Sequence, residues 1–297
     1  MRLRSIVFTV ATATVAALPA FTQTDFQYHS YATPNNANVA INAPNAHVAD
    51  FNGDGLADVL TTSDYTCSDG KCVQGVTLYL YMNNGTGLNT PVQLPVTLTG
   101  GSFASEAKEV AVSDFNGDGK LDIAAINSSG GITILYGKGD GTFQAPVYVQ
   151  LENNDAFTAI VTADFDANGT EDLGVLTQDG LLWLLYNDGK GNFTQQGVPI
   201  DSQPSGFTTT ALAVGDFNGD GRPDLAWVEQ NTDLSQENKV WTALNTAKGI
   251  FSTKHEVGAL PVGFGNLLSA DLDLDGKISI TEPLSLAPFY PATSQRI

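Results

Sequence analysis

Five stretches of this chain put an oxygen-bearing side chain at every second position and then a glycine. They read DFNGDGLAD from Asp50, DFNGDGKLD from Asp114, DFDANGTED from Asp164, DFNGDGRPD from Asp216 and DLDLDGKIS from Asp271. Each presents side-chain oxygens at loop positions 1, 3 and 5, a glycine at 6 for a sharp turn, and a main-chain carbonyl at 7. That is how one short length of backbone wraps a hard, oxygen-seeking cation, and Ca²⁺ is the ion the pattern predicts, about one per loop. Position 9 is Asp in four copies (Asp58, Asp122, Asp172, Asp224) and Ser279 in the fifth. One such loop could arise by chance; five in phase could not.

The fifth loop is spelled differently. Asp271, Asp273 and Asp275 hold positions 1, 3 and 5, Lys277 offers the carbonyl at 7, and Glu282 stands at position 12. With Gly276 at 6 and Ile278 at 8, this is the full pattern of an EF-hand loop, whose position-12 glutamate is bidentate. The other four carry Thr61, Ala125, Val175 and Trp227 at position 12 and cannot be EF-hands. EF-hands also need flanking helices. Gly263 and Gly265 weaken an entering helix, and Pro283 permits at most a new helix start. A variant of the other loops is favoured, with an EF-hand or dockerin-like element as the alternative. In either, Glu282 can replace the carboxylate missing at position 9.

The elements that must position these loops repeat with them. Loop starts lie 64, 50, 52 and 55 residues apart, a period that signals a solenoid, a propeller or an array. The second unit enters its loop through Glu109 to Ser113. LDIAAI follows from Leu121, then ITILYG from Ile132, the glycine turn KGDGT from Lys138 and FQAPVYVQL from Phe143. The third unit repeats this as TADF, EDLGVL, LLWLLY, NDGKG and NFTQQGVPI, and the fourth as AVGDF, PDLAWV, KVWTAL and NTAKG before Ile250 and Phe251. The first has VTLYLY and NNGTG, with Leu88 and Asn89 where Phe143 and Phe193 stand elsewhere. Each unit is four short β-runs separated by turn residues, without helical periodicity. A four-stranded antiparallel sheet repeated about an axis is a propeller blade. The expected fold is therefore all-β, a β-propeller of four complete repeats and a partial fifth, placed near 46–100, 109–151, 159–200, 210–258 and 266–297.

These features resemble the FG-GAP, or VCBS, repeat family, related to the β-propeller head of integrin α chains. The resemblance rests on the D-x-[DN]-x-[DN]-G-x-x-D loops, the downstream N-G-x-G or G-D-G turns, and F-x-x-P from Phe143 to Pro146, and spans roughly Ala46 to Ile280. It implies that each loop joins the first two strands of a blade and binds one calcium ion. The ligand sets it carries over are Asp50, Asn52, Asp54 and Asp58; Asp114, Asn116, Asp118 and Asp122; Asp164, Asp166, Asn168 and Asp172; and Asp216, Asn218, Asp220 and Asp224. Leu56, Lys120, Thr170 and Arg222 would each contribute only a main-chain carbonyl. The chain departs from the family in having fewer repeats than an integrin-type ring. A blade shared with an N-terminal strand around Thr24 to Pro34, within the segment 21–45, is one resolution, since its DFQ resembles the GTFQ before an outer strand. A five-bladed ring, an open arc and a fragment of a larger ring are the others.

The remaining composition limits the setting. Arg2 and Arg4 precede an apolar run from Ile6 to Leu18, and Pro19-Ala20 follow, so residues 1–20 read as a secretory signal. The run is shorter than the ~20 residues of a membrane-spanning helix, and no later segment qualifies, so the mature chain is expected to be secreted, extracellular or at the cell surface, or periplasmic. Without the two signal arginines, 11 basic residues face 32 acidic ones. Duplex nucleic acid is excluded as a partner, because its binding depends on Lys and Arg neutralising phosphates. The acids are placed in the loops, so metal removal is expected to loosen the fold. Cys67 and Cys72 bracket Ser-Asp-Gly-Lys and read, in an exported protein, as a disulfide across a hairpin, with free thiols as the alternative.

Catalysis finds little support. An Asp held on Ca²⁺ has its pKa depressed and is a poor general acid. His29, His47 and His255 stand in no catalytic spacing, and no nucleophile elbow or phosphate-binding glycine loop occurs. Trp183, Trp227 and Trp241 could stack on sugars if exposed, but all lie in apolar β-runs and read as packing between blades. Asn84, Asn127, Asn168 and Asn192 sit in N-x-[ST] contexts, and glycosylation of Asn168 would conflict with a ligand role. The expected function is a non-catalytic binding or adhesion module for an extracellular protein or glycan. A lectin or a polysaccharide-active enzyme on the same scaffold is the alternative.

Overall fold

The computed structural model of the 297-residue chain describes residues 46–68, 71–94, 109–126, 131–151, 157–177, 180–198, 207–232, 236–260, 268–270 and 279–281. The expected signal, the segment 21–45, and the fifth loop with Asp271, Asp273, Asp275, Lys277 and Glu282 lie outside the described residues. The elements are strands: β1 Ala46–Ala49, β2 Asp58–Ser68, β3 Lys71–Tyr81 and β4 Val92–Gln93 form a first four-stranded sheet in sequential order. A second comprises β5 Val110–Ser113, β6 Asp122–Ile126, β7 Gly131–Leu135 and β8 Val147–Gln150. The third comprises β9 Phe157–Ala163, β10 Asp172–Thr177, β11 Leu182–Asn187 and β12 Phe193–Val198. The fourth contains β13 Phe207–Gly215, β14 Asp224–Asn231 and β15 Asn238–Ala243; after a small hairpin of β16 Asn245–Ala247 and β17 Ile250–Phe251, β18 His255–Leu260 completes it. A fifth sheet begins with β19 Leu268–Ala270 and β20 Ser279–Thr281.

All pairs within these sheets are antiparallel, and their first strands share one register. Ala49 opposes Asp58, Ser113 opposes Asp122, Ala163 opposes Asp172, Gly215 opposes Asp224 and Ala270 opposes Ser279. Every loop of the repeat is thus the connection between a blade's first and second strands. The fifth loop itself lies outside the described residues; the strands that flank it pair in the same register, where an EF-hand would require helices. The third and fourth sheets start at Phe157 and Phe207, slightly ahead of the repeat boundaries read from the sequence. Bulges at Leu176/Thr177 and Thr209/Ala211 carry the pairing past the periodic core. Cys67 and Cys72 oppose one another across the β2–β3 hairpin.

The unbroken apolar runs of the second strands follow from burial on both faces. Ile123 and Ala125 enter the core shared with the first sheet, beside Phe51, Leu60 and Leu80. Their neighbours Ala124 and Ile126 enter the core shared with the third sheet, beside Leu173 and Val175. Alternate residues of one strand thus serve two neighbours, which removes the polar alternation of a half-exposed strand. The next core joins Leu176, Leu182 and Leu184 to Leu225 and Trp227. First strands lie beside one another in sequence, β5 by β9, β9 by β13 and β13 by β19, so the described loops open at corresponding ends of stacked sheets. These are propeller blades, and the described sheets do not close a ring.

Candidate metal centre

Main-chain donors fold each described loop around its side chains at positions 1, 3 and 5. In the first, Asp50 accepts the N–H groups of Gly53 at 2.7 Å, Asp54 at 3.2 Å and Gly55 at 2.8 Å. Asn52 accepts from Asp54 N–H, and Asp54 from Leu56 N–H. The same five bonds recur on Asp114, Asn116 and Asp118 and on Asp216, Asn218 and Asp220. In the third loop Asp164 accepts from Asn168 and Gly169, Asp166 from Asn168, and Asn168 from Thr170. Asp and Asn suit these places because a short side-chain oxygen can cap the N–H two residues on. Burial acts to raise the pKa of Asp50 and Asp216, but their several N–H donors outweigh it and hold both below the ordinary carboxylate value.

A second conformational demand falls at position 4, where the backbone is left-handed. Gly53, Gly117 and Gly219 have φ of 74°, 72° and 79°, and Ala167 stands there in the third loop at 57°. The loop pattern predicts a turn only at the glycine of position 6. The signal for position 4 was nonetheless present, as the first glycine of the thrice-repeated NGDG.

The position-9 aspartates are built in more deeply than ligand assignment alone would require. Asp58, Asp122, Asp172 and Asp224 are all fully buried. One oxygen of each accepts the N–H of the loop's position-2 phenylalanine, Phe51, Phe115, Phe165 or Phe217, at 2.9–3.0 Å. The other accepts, at 2.7–2.8 Å, the N–H of Asn83, Gly137, Asn187 or Asn245, where the third strand turns toward the fourth. Each carboxylate therefore ties the loop to the far hairpin of its own blade. Burial pushes Asp122 and Asp172 up to about 6 against these bonds, and raises Asp224 for the same reason. A nearby dication would reverse that preference by favouring the charged form.

The third loop brings three carboxylates together. One oxygen each from Asp164, Asp166 and Asp172 lies within 4.8 Å of the others, the one such cluster of His, Cys, Asp or Glu among the described residues. It unites positions 1, 3 and 9, and this convergent all-oxygen set fits a hard cation. In the first, second and fourth loops position 3 is Asn, which offers an amide oxygen in place of the third loop's carboxylate. Position 7 supplies more than a carbonyl. Lys120 Nζ lies 3.5 Å from Asp118, and Arg222 bonds Asp220 while its Nε donates to Asn245 O at 2.6 Å. Thr170 Oγ1 donates to Asn187 O at 2.8 Å. Between the third and fourth loops lies a cleft of about 390 Å³ lined by Asp164, Phe165, Glu171, Arg222 and Pro223 among others.

Sequence reasoning missed the bonds that join one blade's loop to the next blade. Phe51 packs edge-on against Phe143, Phe115 against Phe193 and Phe165 against Phe251, with ring centroids 6.4, 6.1 and 6.0 Å apart. Asn187 and Asn245 donate side-chain N–H groups to Phe115 O and Phe165 O, both at 2.8 Å, and at the first joint Gly141 N–H serves Phe51 O. Tyr136 and Tyr186 donate to Gly191 O and Gly249 O. A Cβ on either glycine would lie 2.1 Å from the tyrosine oxygen, so a larger residue would have to displace that hydroxyl. The signal was the asparagine or glycine that opens each NxGxG turn.

The other candidates stand apart from this centre. His47 lies on β1 and His255 is exposed on β18, and His29 is outside the described residues. Trp227 is fully buried, which removes it as a sugar platform. Trp183 and Trp241 are partly buried against two of the cores, and Lys254 Nζ lies 4.4 Å from the centre of the Trp241 ring.

A family model described as FG-GAP-like repeat matches residues 50–125, 114–175 and 171–227. Together these cover more than half of the chain. The chain belongs to the FG-GAP-like repeat family. Among solved structures, this FG-GAP-like chain is similar to an Agrocybe aegerita lectin described as recognising non-reducing terminal N-acetylglucosamine. Identity is 21% and the TM-score 0.54, over 79% of this chain and 59% of the lectin. A second similar structure is BBS1N in complex with ARL6DN, at 13% identity and a TM-score of 0.46, over 82% of this chain and 62% of that one. The chain thus spans about three fifths of the length of either. No curated protein matches it. The likeness to the lectin is one of fold.

Proposed function

We propose that this FG-GAP-like propeller is a secreted, non-catalytic binding or adhesion module whose loops each hold a structural Ca²⁺. The observation that carries the reading is the convergence of Asp164, Asp166 and Asp172 within 4.8 Å on a loop skeleton shared with three others. The ligands are the sets around Asp50, Asp114, Asp164 and Asp216, and a fifth set of Asp271, Asp273, Asp275, Lys277 carbonyl and Glu282. Calcium then clamps each hairpin between first and second strands, and the stacked loops present a rigid face to an extracellular protein or glycan. Oxidised Cys67 and Cys72 would stiffen the β2–β3 hairpin. Elemental analysis of the purified chain, with melting before and after chelation, tests the metal claim. About five ions and a marked fall in Tm on chelation are expected; fewer than three ions, or an unchanged Tm, would overturn it.

A glycan partner is the second reading. It is favoured by the fold likeness to the lectin together with the cleft between the third and fourth loops, whose Glu171 and Arg222 could bond sugar hydroxyls. A glycan array is the test. Binding that is lost in Glu171→Gln supports the cleft, and an array without hits on the calcium-loaded protein leaves the protein-adhesion reading.

A further inference from the structure

Two chains of buried hydrogen bonds run from loop to loop through the joints. In the first, Asp122 accepts the Phe115 N–H at 2.9 Å, the Phe115 carbonyl accepts from Asn187 Nδ2 at 2.8 Å, and the Asn187 main-chain N–H donates to Asp172 at 2.7 Å. The second starts on the other oxygen of Asp172, which accepts the Phe165 N–H at 3.0 Å. The Phe165 carbonyl accepts from Asn245 Nδ2 at 2.8 Å, and the Asn245 N–H donates to Asp224 at 2.8 Å. Three position-9 carboxylates are thus joined end to end by two asparagines.

Each asparagine holds both sides of its joint. On the near side, Phe115 lies between Asp114 and Asn116 and Phe165 between Asp164 and Asp166, so holding those candidate ligands in place also holds the carbonyl that receives the asparagine. On the far side, the Asn187 carbonyl accepts from Asn168 Nδ2 and Thr170 Oγ1, and the Asn245 carbonyl from Arg222 Nε, at positions 5 and 7 of the next loop. The first joint lacks this device. Gly137 stands in the place of the asparagines and its N–H bonds Asp122, but it has no side chain to reach Phe51, and a Cβ there would lie 2.1 Å from the Leu121 carbonyl oxygen. The Phe51 carbonyl takes a longer bond, 3.2 Å, from the main chain of Gly141.

We infer that Asn187 and Asn245 couple the second, third and fourth loops into one cooperative cation-binding unit, while the first loop binds alone. The inference rests on the reading of the loops as calcium sites. Its physical cause is shared ordering: in a loaded loop the phenylalanine and the asparagine bonded to it are already fixed, so the neighbouring loop has less to order when its own ion binds, and binds it more tightly. The asparagine is the element that both sites bias.

The position-6 glycines report each loop separately, because the N–H groups of Gly55, Gly119, Gly169 and Gly221 each bond the first Asp of their own loop. The full chain, labelled with ¹⁵N-glycine, is titrated with Ca²⁺ and the four amide signals are followed by NMR. Gly119, Gly169 and Gly221 should move over one steep common range, and Gly55 at its own midpoint. Asp166→Ala, which weakens the third site while keeping the N–H acceptors Asp164 and Asp172, should raise the Gly221 midpoint about fivefold, the low end of coupling between sites. In an Asn245→Ala background the same substitution should leave that midpoint unmoved. A Gly221 midpoint indifferent to Asp166→Ala in the otherwise unaltered chain overturns the coupling, as does a shift that persists without Asn245. If none of the four glycines responds to calcium, the calcium reading itself falls and this inference with it; four responses at independent midpoints overturn the coupling and leave that reading standing.

Discussion

The third and fourth loops share a backbone and differ in how charge is set upon it. In both, the first Asp (Asp164, Asp216) gathers main-chain N–H groups, and the ninth (Asp172, Asp224) is fully buried between two more. The third puts its remaining carboxylate at position 3, where Asp166 meets Asp164 and Asp172. The fourth puts it at position 5, where Asp220 is bonded by Arg222. The third tolerates Ala167 in a left-handed conformation, and the fourth uses Gly219. Loop shape is therefore set by the aspartates at 1 and 9 and their N–H donors. The middle positions are free to tune how strongly a cation would be held.

The largest effect should come from what the two loops share. Removing the carboxylate leaves two buried N–H groups without an acceptor in Asp172→Ala, and one buried and one part-buried in Asp224→Ala, at a cost of roughly 2–6 kcal/mol from 1–3 per group. Because those bonds are made to the protein's own main chain, the loss should appear in denaturant unfolding with excess chelator, and to a similar extent in both variants. Destabilisation confined to the calcium-loaded protein would mean that position 9 acts through the ion alone, and the division between shape and tuning would fail.

The sequence revealed the blades because burial on both faces leaves a mark on composition. LDIAAI and EDLGVL are continuous apolar runs, and the Asp-rich loops fall between the first two strands as the repeat implied. It also named Asp58, Asp122, Asp172 and Asp224, but as ligands only. Their second task depends on N–H groups at Asn83, Gly137, Asn187 and Asn245, which become neighbours only when the third strand folds back. The joints were hidden for the same reason: Asn245 and Phe165 are 80 residues apart, and neither residue type alone announces an inter-blade bond. What shows locally in a chain is a turn or a face; what passes between blades shows only as a spacing repeated several times.

Exchange at position 4 comes next in size. Gly219→Ala forces a Cβ into the left-handed region and should cost about 1–2 kcal/mol. Ala167→Gly should recover somewhat less, about 0.5–1 kcal/mol, because the greater freedom of glycine in the unfolded chain offsets part of the relief. No atom lies within 4 Å of a Cβ on Gly219, so steric crowding adds nothing to the backbone effect. Paired urea titrations of the two variants measure it. If Gly219→Ala costs nothing, the left-handed turn is not a demand of the loop, and Ala167 marks no difference between the two sites.

The smallest effect separates the loops by charge. Arg222 neutralises the position-5 carboxylate that a cation in the fourth loop would use, whereas Thr170 at the same place in the third is uncharged and bonds Asn187 O. Arg222→Met removes the competing cation while keeping an unbranched stem along Asn245. An exposed ion pair is worth about 0.2–1 kcal/mol, so calcium affinity at that loop should rise by about fivefold at most. Competition with a chromophoric chelator, in a background where Asp164→Ala has weakened the third site, isolates the change. High salt should shrink it, since screening weakens exposed pairs first. Unchanged affinity would place the Arg222 charge on the Asn245 carbonyl rather than on the site, and only the carboxylate at position 3 would then distinguish the third loop from the fourth.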